Sequence, residues 1–160
     1  MDTGAAILVL VLSATPGFEA RYAIPLAINT LGFTAVEAFA LGLVGNLIPV
    51  VALLVLLEPV SDYLSCHVPF FNRFFTWLFD RTRRHSERFE RWGALALIPF
   101  VAVPLPVTGA WTACAAAFVF GIRFRYALPT IFAGMVIAAL ATTLGVTTLQ
   151  ALIPLLGGMT

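Results

Sequence analysis

Glu19 and Arg21 stand two residues apart beside a Pro16-Gly17 break, and nearly everything around them between residues 4 and 36 is apolar. Ionisable groups in a membrane-embedded stretch cost roughly 2.5–3.5 kcal/mol each on insertion scales, so their presence there points to function. A guanidinium matches a carboxylate or phosphate through two parallel hydrogen bonds, which makes Arg21 the candidate for holding an anionic head group. Desolvation disfavours the charged form of a carboxyl, so Glu19 is the candidate for exchanging a proton during a transport cycle. The plainer alternative is that the two charges neutralise each other or reach for the membrane interface.

A second group of candidates follows a second Pro-rich break. Pro104 and Pro106 interrupt an apolar run, Gly109 permits close backbone approach, and Thr108, Trp111 and Thr112 offer polar atoms beside it. Thr hydroxyls at such a place either meet a ligand or cap the helix that restarts after the break. Asn46, with Pro49 three residues on, is a polar residue in an otherwise apolar span. It can supply a contact to substrate or hydrogen-bond another helix. Pro16, Gly17, Pro25, Pro104, Pro106 and Gly109 are expected to shape the two breaks. The chain shows no Ser-His pair, paired Asp or HExxH constellation, so an enzyme is not expected. Cys66, Cys114, His67 and His85 form neither a disulfide framework nor a metal site, and no cofactor is implied.

The elements that carry these residues follow from composition and segment length. The 160 residues are 61% hydrophobic and 11% charged, with a mean hydropathy of +0.99, which excludes an ordinary soluble domain. All basic residues are Arg, and the formal charge of +1 leaves no basic face for nucleic acid. The N-terminus lacks the positive region of a signal peptide, so the first apolar segment is expected to stay in the mature protein. A helix needs about 20 apolar residues to cross the hydrocarbon core. Residues 38–57 and 126–150 meet that length without a charge. Residues 4–15 and 22–36 flank the first break as arms of about 18–23 Å, too short to cross singly. The uncharged run 92–122 is broken likewise by Pro99, Pro104 and Pro106.

Two short-armed, Pro-broken elements, each followed by one full span, predict an all-α integral membrane protein built as an inverted repeat of re-entrant hairpin plus transmembrane helix. The repeats are 1–57 and 92–160 of a single membrane domain 1–160, joined by a connector, 58–91. In register, Pro16 falls on Pro104 and Gly42 on Gly134. Arg73, Arg81, Arg83, Arg84, Arg88 and Arg91 lie in that connector, which the positive-inside rule places in the cytoplasm. A returning second hairpin puts Arg123 and Arg125 inside too, leaves Arg21 in a hairpin that opens from outside, and sets both termini outside. Residues 60–79, rich in aromatics, read as an amphipathic element at the interface, and 80–91 as a short solvated helix.

The motifs PGFEARYAIPLAI and PLPVTGAWTACAAA together resemble the small multi-drug export protein family, over most of the chain. That resemblance implies signature positions at Glu19, Arg21, Pro25, Pro104, Pro106, Thr108, Gly109 and Trp111. More distantly the layout is similar to the DedA or VTT superfamily, whose two facing re-entrant hairpins occur in proteins implicated in moving lipids, among them polyprenyl-phosphate carriers. The arginine motif usual around the second DedA hairpin has no clear match here unless Arg123 and Arg125 replace it. The expected function is a homodimeric, multi-pass plasma-membrane transporter whose two hairpin tips meet near the midplane around a polar cavity. It moves an amphipathic or anionic lipid-like substrate, a phospholipid or polyprenyl phosphate, with proton coupling through Glu19. The alternatives are proton-coupled export of hydrophobic cations and a non-transporting, membrane-organising role.

Overall fold

The computed structural model describes residues 3–67, 87–103 and 109–157, and among them every regular element is an α-helix. The helices are α1 (Thr3–Ala14), α2 (Glu19–Asn29), α3 (Ala35–His67), α4 (Glu87–Ala102), α5 (Ala110–Val119) and α6 (Phe124–Gly157). Two of them contain stretches long and apolar enough to cross a membrane, Ala35–Leu57 and Phe124–Pro154. The other four are short. At 1.5 Å per residue, α1 and α2 are each roughly 17–18 Å long, little more than half a hydrocarbon core.

The chain divides into two compact units. The first comprises Met1–Ile48 and Val136–Thr160, the second Pro49–Met135. Each long helix therefore gives its N-terminal part to one unit and its C-terminal part to the other, with the change falling at Pro49 in α3.

In the first unit α1 packs on α2. Residues 15–18 join them, because Pro16 lacks the N–H that a continuing helix needs and Gly17 turns the chain at φ 87°. The buried face of α2 is Ala20, Ala23, Ile24 and Ala27, which meets Val9, Phe33, Ala38 and Ala139. Small residues let helix backbones approach closely where lipid removes the usual hydrophobic drive between helices. A turn with Gly32 at φ 72° then leads to α3. Thr34 and Glu37 close its start reciprocally: Thr34 N–H donates to Glu37 Oε2 at 3.0 Å, and Glu37 N–H donates to Thr34 Oγ1 at 3.3 Å.

The second unit repeats several of these devices. The helix α4 packs on α5, and α5 buries Ala110, Ala113, Cys114 and Ala117, the same spacing as on α2. It ends in a Schellman turn: Ile122 N–H donates to Ala117 O at 2.8 Å and Gly121 N–H to Phe118 O at 3.0 Å. Gly121, at φ 65°, supplies the left-handed residue, and Ile122 is buried after it as Phe33 is buried after Gly32.

One contact recurs in both units. A Cβ at Gly45 would meet Leu10 O at 2.6 Å and Ser13 Cβ at 2.8 Å, and a Cβ at Gly134 would meet Ile98 O at 2.9 Å and Val101 Cβ at 2.7 Å. In each unit a glycine of the long helix thus lies against the backbone of the first short helix. The expected pairing of Gly42 with Gly134 is corrected by this: Gly42 makes room for Ile24 instead, with Ile24 Cγ1 at 2.8 Å from its notional Cβ.

Three boundaries differ from the sequence expectation. The helix α3 continues past Leu57 and Pro59 to His67, so residues 58–67 are part of a long helix and not the start of a separate interfacial element. The helix α4 begins at Glu87 and runs on through Arg91 into the apolar arm, so those charges form its first turn. Pro25 lies inside α2, not at the hairpin tip. A proline there removes one hydrogen bond, and in a membrane helix neighbouring groups can take up the carbonyl it frees. The rest of the expected connector, 68–86, and Pro104, Pro106 and Thr108 lie outside the described residues.

Candidate functional site

Polar burial is concentrated at one place. Among the described residues, the buried polar or charged side chains are Ser13, Glu19 and Asn46, all in the first unit. Ser13 ends α1, Glu19 begins α2 and Asn46 comes from α3. The Ser13 hydroxyl is satisfied locally, donating to Val9 O at 2.7 Å. The other two are the unusual ones.

Glu19 is 7% exposed and carries φ 49°, the one non-glycine residue with positive φ among the described residues. A single non-glycine residue in that region costs roughly 1–2 kcal/mol. This left-handed residue lets the helix restart at once. Phe18 N–H and Glu19 N–H both donate to Thr15 O, at 3.3 and 3.2 Å, so the break is confined to 15–18. Glu19 and Arg21 therefore belong to the first turn of α2 instead of the interruption before it. Arg21 is half-buried, and Tyr22 beside it is exposed, with its ring edge-on to Phe18 at 5.9 Å.

Asn46 is 4% exposed, and its Oδ1 finds no hydrogen-bond partner. A buried polar atom left unsatisfied costs about 1–3 kcal/mol. Helix register locates it. Gly42 lies against Ala20 and Ile24, and Gly45 against Leu10 and Ser13. The helices α2 and α3 run antiparallel across a short turn, so one further turn along α3, roughly 6 Å, brings Asn46 level with the 15–18 break and the start of α2. Glu19 thus follows Pro16 and Gly17 directly at the α1–α2 turn, and Asn46 lies one helical turn beyond the glycine that packs on α2.

In the second unit Gly109 is the N-cap of α5, in extended backbone. Thr112 Oγ1 accepts the Gly109 N–H at 2.9 Å and donates to Gly109 O at 3.0 Å, so its hydroxyl closes its own helix. Trp111 lies in the same turn, and its buried indole Nε1 has no hydrogen-bond partner. Beyond the hairpins, Arg125 lies over the Tyr126 ring at 4.7 Å. Thr142, Thr143, Thr147 and Thr148 of α6 all donate back to carbonyls of their own helix. No group of three or more His, Cys, Asp or Glu that could hold a metal occurs among the described residues.

Residues 19–141, three-quarters of the chain from the start of α2 into α6, match the family described as "Putative small multi-drug export protein". The chain belongs to this family. Its description is that of an export protein, and with two helices of spanning length and composition the chain is a membrane protein. The match begins at Glu19 itself and takes in Arg21, Asn46, Gly109, Trp111 and Thr112. No curated protein and no solved structure matches the chain. Sequence reasoning passed over two features: the contacts of Gly45 and Gly134, and the Thr34–Glu37 capping box. The second was signalled by a Thr-x-x-Glu spacing before an apolar run.

Proposed function

We propose that this family member is a transporter that carries an amphipathic, anionic, lipid-like substrate across the membrane, with Glu19 exchanging the coupling proton and Arg21 holding the anionic head group. The observation that carries this reading is a carboxylate 7% exposed at the start of a short helix, in a unit that also buries Asn46 Oδ1 without a hydrogen-bond partner. Half-helices that stop inside a membrane leave N–H and C=O groups free for ligands and ions. The two hairpin-plus-helix units are read as re-entrant and oppositely oriented, the Arg-rich connector as cytoplasmic and the working form as a homodimer. Arginine placement supports the orientation.

The test uses purified protein in vesicles containing a fluorescent phosphatidylglycerol, with its movement between leaflets followed under an imposed pH gradient. Glu19→Gln should remove the dependence on the gradient, and Arg21→Ala should weaken head-group affinity. Movement that stays equally pH-dependent in Glu19→Gln ends the role of Glu19.

A second reading, proton-coupled export of hydrophobic cations, is favoured by the family's description and by the same buried carboxylate. Arg21 two residues away weakens a cation-binding substrate site by like-charge repulsion. Gradient-driven efflux of ethidium from the same vesicles, with no movement of the phospholipid, would select this reading over the first.

A further inference from the structure

We infer that the second unit holds a resident anionic phospholipid, one acyl chain lying in a groove between α3 and α5 and the phosphate resting at Arg123 and Arg125. The groove has an open volume of about 350 Å³ and is lined by Leu54 and Leu57 of α3, Ala117 and Phe118 of α5, and Ile122 and Phe124 after it. These residues are all apolar and all belong to the second unit.

Three elements change from apolar to charged at the mouth of this groove. The uncharged stretch of α3 ends at Leu57, with Glu58 next in the chain. In α4 the charged first turn, Glu87 to Arg91, gives way to Trp92, which is 67% exposed. After α5, buried Ile122 is followed by exposed Arg123 and Arg125. Packing sets the three changes level: a Cβ at Gly93 would meet Ile122 Cδ1 at 3.8 Å, and Leu57 and Ile122 line the same groove. Arginines and an exposed tryptophan at the ends of apolar helices mark the boundary between membrane and water. The groove therefore opens at that boundary and runs into the apolar layer past Leu54 and Ala117. A phospholipid has the same outline, charged at the boundary and apolar below it.

The sign of the charge selects the head group. From Trp92 to Thr160 the sequence carries no charge besides Arg123 and Arg125, so the wall of the groove built by α5 and the following turn is wholly cationic. Phe124, between the two arginines in the chain, is itself part of the lining. The Arg125 guanidinium lies over the Tyr126 ring at 4.7 Å, a contact made with its flat face while its N–H donors point outward in the plane. With five donors apiece, both arginines can keep their contacts within the protein and still hold phosphate oxygens. A zwitterionic lipid brings the same phosphate but adds a cation, which these two charges disfavour. This lipid is bound and not carried, and it lies in the other unit from Glu19 and Arg21.

The test uses the detergent-purified protein stripped of lipid. Binding of phosphatidylglycerol and phosphatidylcholine with identical acyl chains is read by native mass spectrometry and by melting temperature. Because the transport reading also sets an anionic head group at Arg21, each measurement is repeated in Arg21→Ala, where the lipid of the second unit must persist. That variant should retain one phosphatidylglycerol per chain, preferred over phosphatidylcholine by about thirty-fold, which is about 2 kcal/mol for two arginines at such a boundary. Glycerol 3-phosphate, a head group without chains, should not raise the melting temperature. In the same background, Arg123→Gln with Arg125→Gln should bring the preference close to one, and Arg123→Lys with Arg125→Lys should keep most of it. Leu57→Trp, which fills the mouth of the groove, should weaken both lipids alike. Equal binding of the two lipids in Arg21→Ala, an undiminished preference in the double glutamine variant, or a response to glycerol 3-phosphate equal to that of the lipid would each overturn the site. Absence of leaflet-to-leaflet movement in the wild type, with this binding intact, would count against the transport reading alone.

Discussion

Gly45→Ala is the sharpest test of how the hairpin is held. The added Cβ would lie 2.6 Å from Leu10 O, 2.8 Å from Ser13 Cβ and 3.0 Å from Leu10 Cα. Carbon atoms reach their optimum at about 3.5–4.0 Å, so α1 must retreat by roughly 0.7–1.2 Å from Ser13 alone. Two of the three neighbours are backbone atoms, which no rotamer change can move. Overpacking of this kind costs about 1–3 kcal/mol. Against it, replacing glycine by alanine in a helix interior contributes roughly 0.5–1 kcal/mol of stability. The net is a loss of up to about 2.5 kcal/mol, or roughly 10 °C at most in melting temperature for a chain of this size.

Gly145→Ala isolates the favourable part, because a Cβ there meets nothing within 4 Å. It should melt above the wild type by a few degrees at most. Gly42→Ala should fall between the two, since its nearest neighbours are atoms of the Ile24 side chain. Gly134→Ala should behave like Gly45→Ala. Thermal unfolding in one detergent by circular dichroism at a fixed scan rate gives the order directly. If Gly45→Ala melts as high as Gly145→Ala, the close approach of α1 to α3 is not as described.

Asn29 and Gln150 are joined by a hydrogen bond from Gln150 Nε2 to Asn29 Oδ1 at 2.7 Å; a double-mutant cycle with Asn29→Ala and Gln150→Ala should return a coupling of about 0.6 kcal/mol, and a value near zero would show that the pair adds nothing. Single cysteines at positions 19, 107 and 124, labelled from each side of the membrane, test the orientation. In the hairpin reading 124 labels from the cytoplasm, and labelling of 124 from outside would make the second hairpin a full crossing.

Much of the helical outline was legible because prolines, glycines and charges punctuate it. The interruption at Pro16-Gly17 is where Pro forbids a continuing ladder. What misled was treating charge as a helix boundary. Glu58 limits an uncharged stretch, but a helix backbone is indifferent to a carboxylate at its surface, and α3 runs on to His67. Glu19 and Arg21 appeared to belong to the break for the same reason, yet a left-handed φ at Glu19 restarts the helix within one residue. The pairing of Gly42 with Gly134 came from aligning the two halves by sequence offset, which does not tell Gly42 from Gly45. Only the distances show that one receives an isoleucine side chain and the other a backbone carbonyl. Neither the burial of Asn46 nor the lack of a partner for its Oδ1 could be read from its apolar surroundings.

The sharing of the two long helices between the units also bears on how the chain is assembled. The first unit needs Val136–Thr160 as well as Met1–Ile48, so its earliest residues wait through most of synthesis for the segment that completes them. The second unit, Pro49–Met135, is continuous and can close first. Buried Glu19 and Asn46 thus pass through the insertion machinery before their final surroundings exist, and contacts between residues so far apart in sequence form late because of the loop entropy they must overcome. A chain truncated after Met135 would retain Glu19, Arg21 and Asn46 and still lack the helix segment that finishes the unit around them.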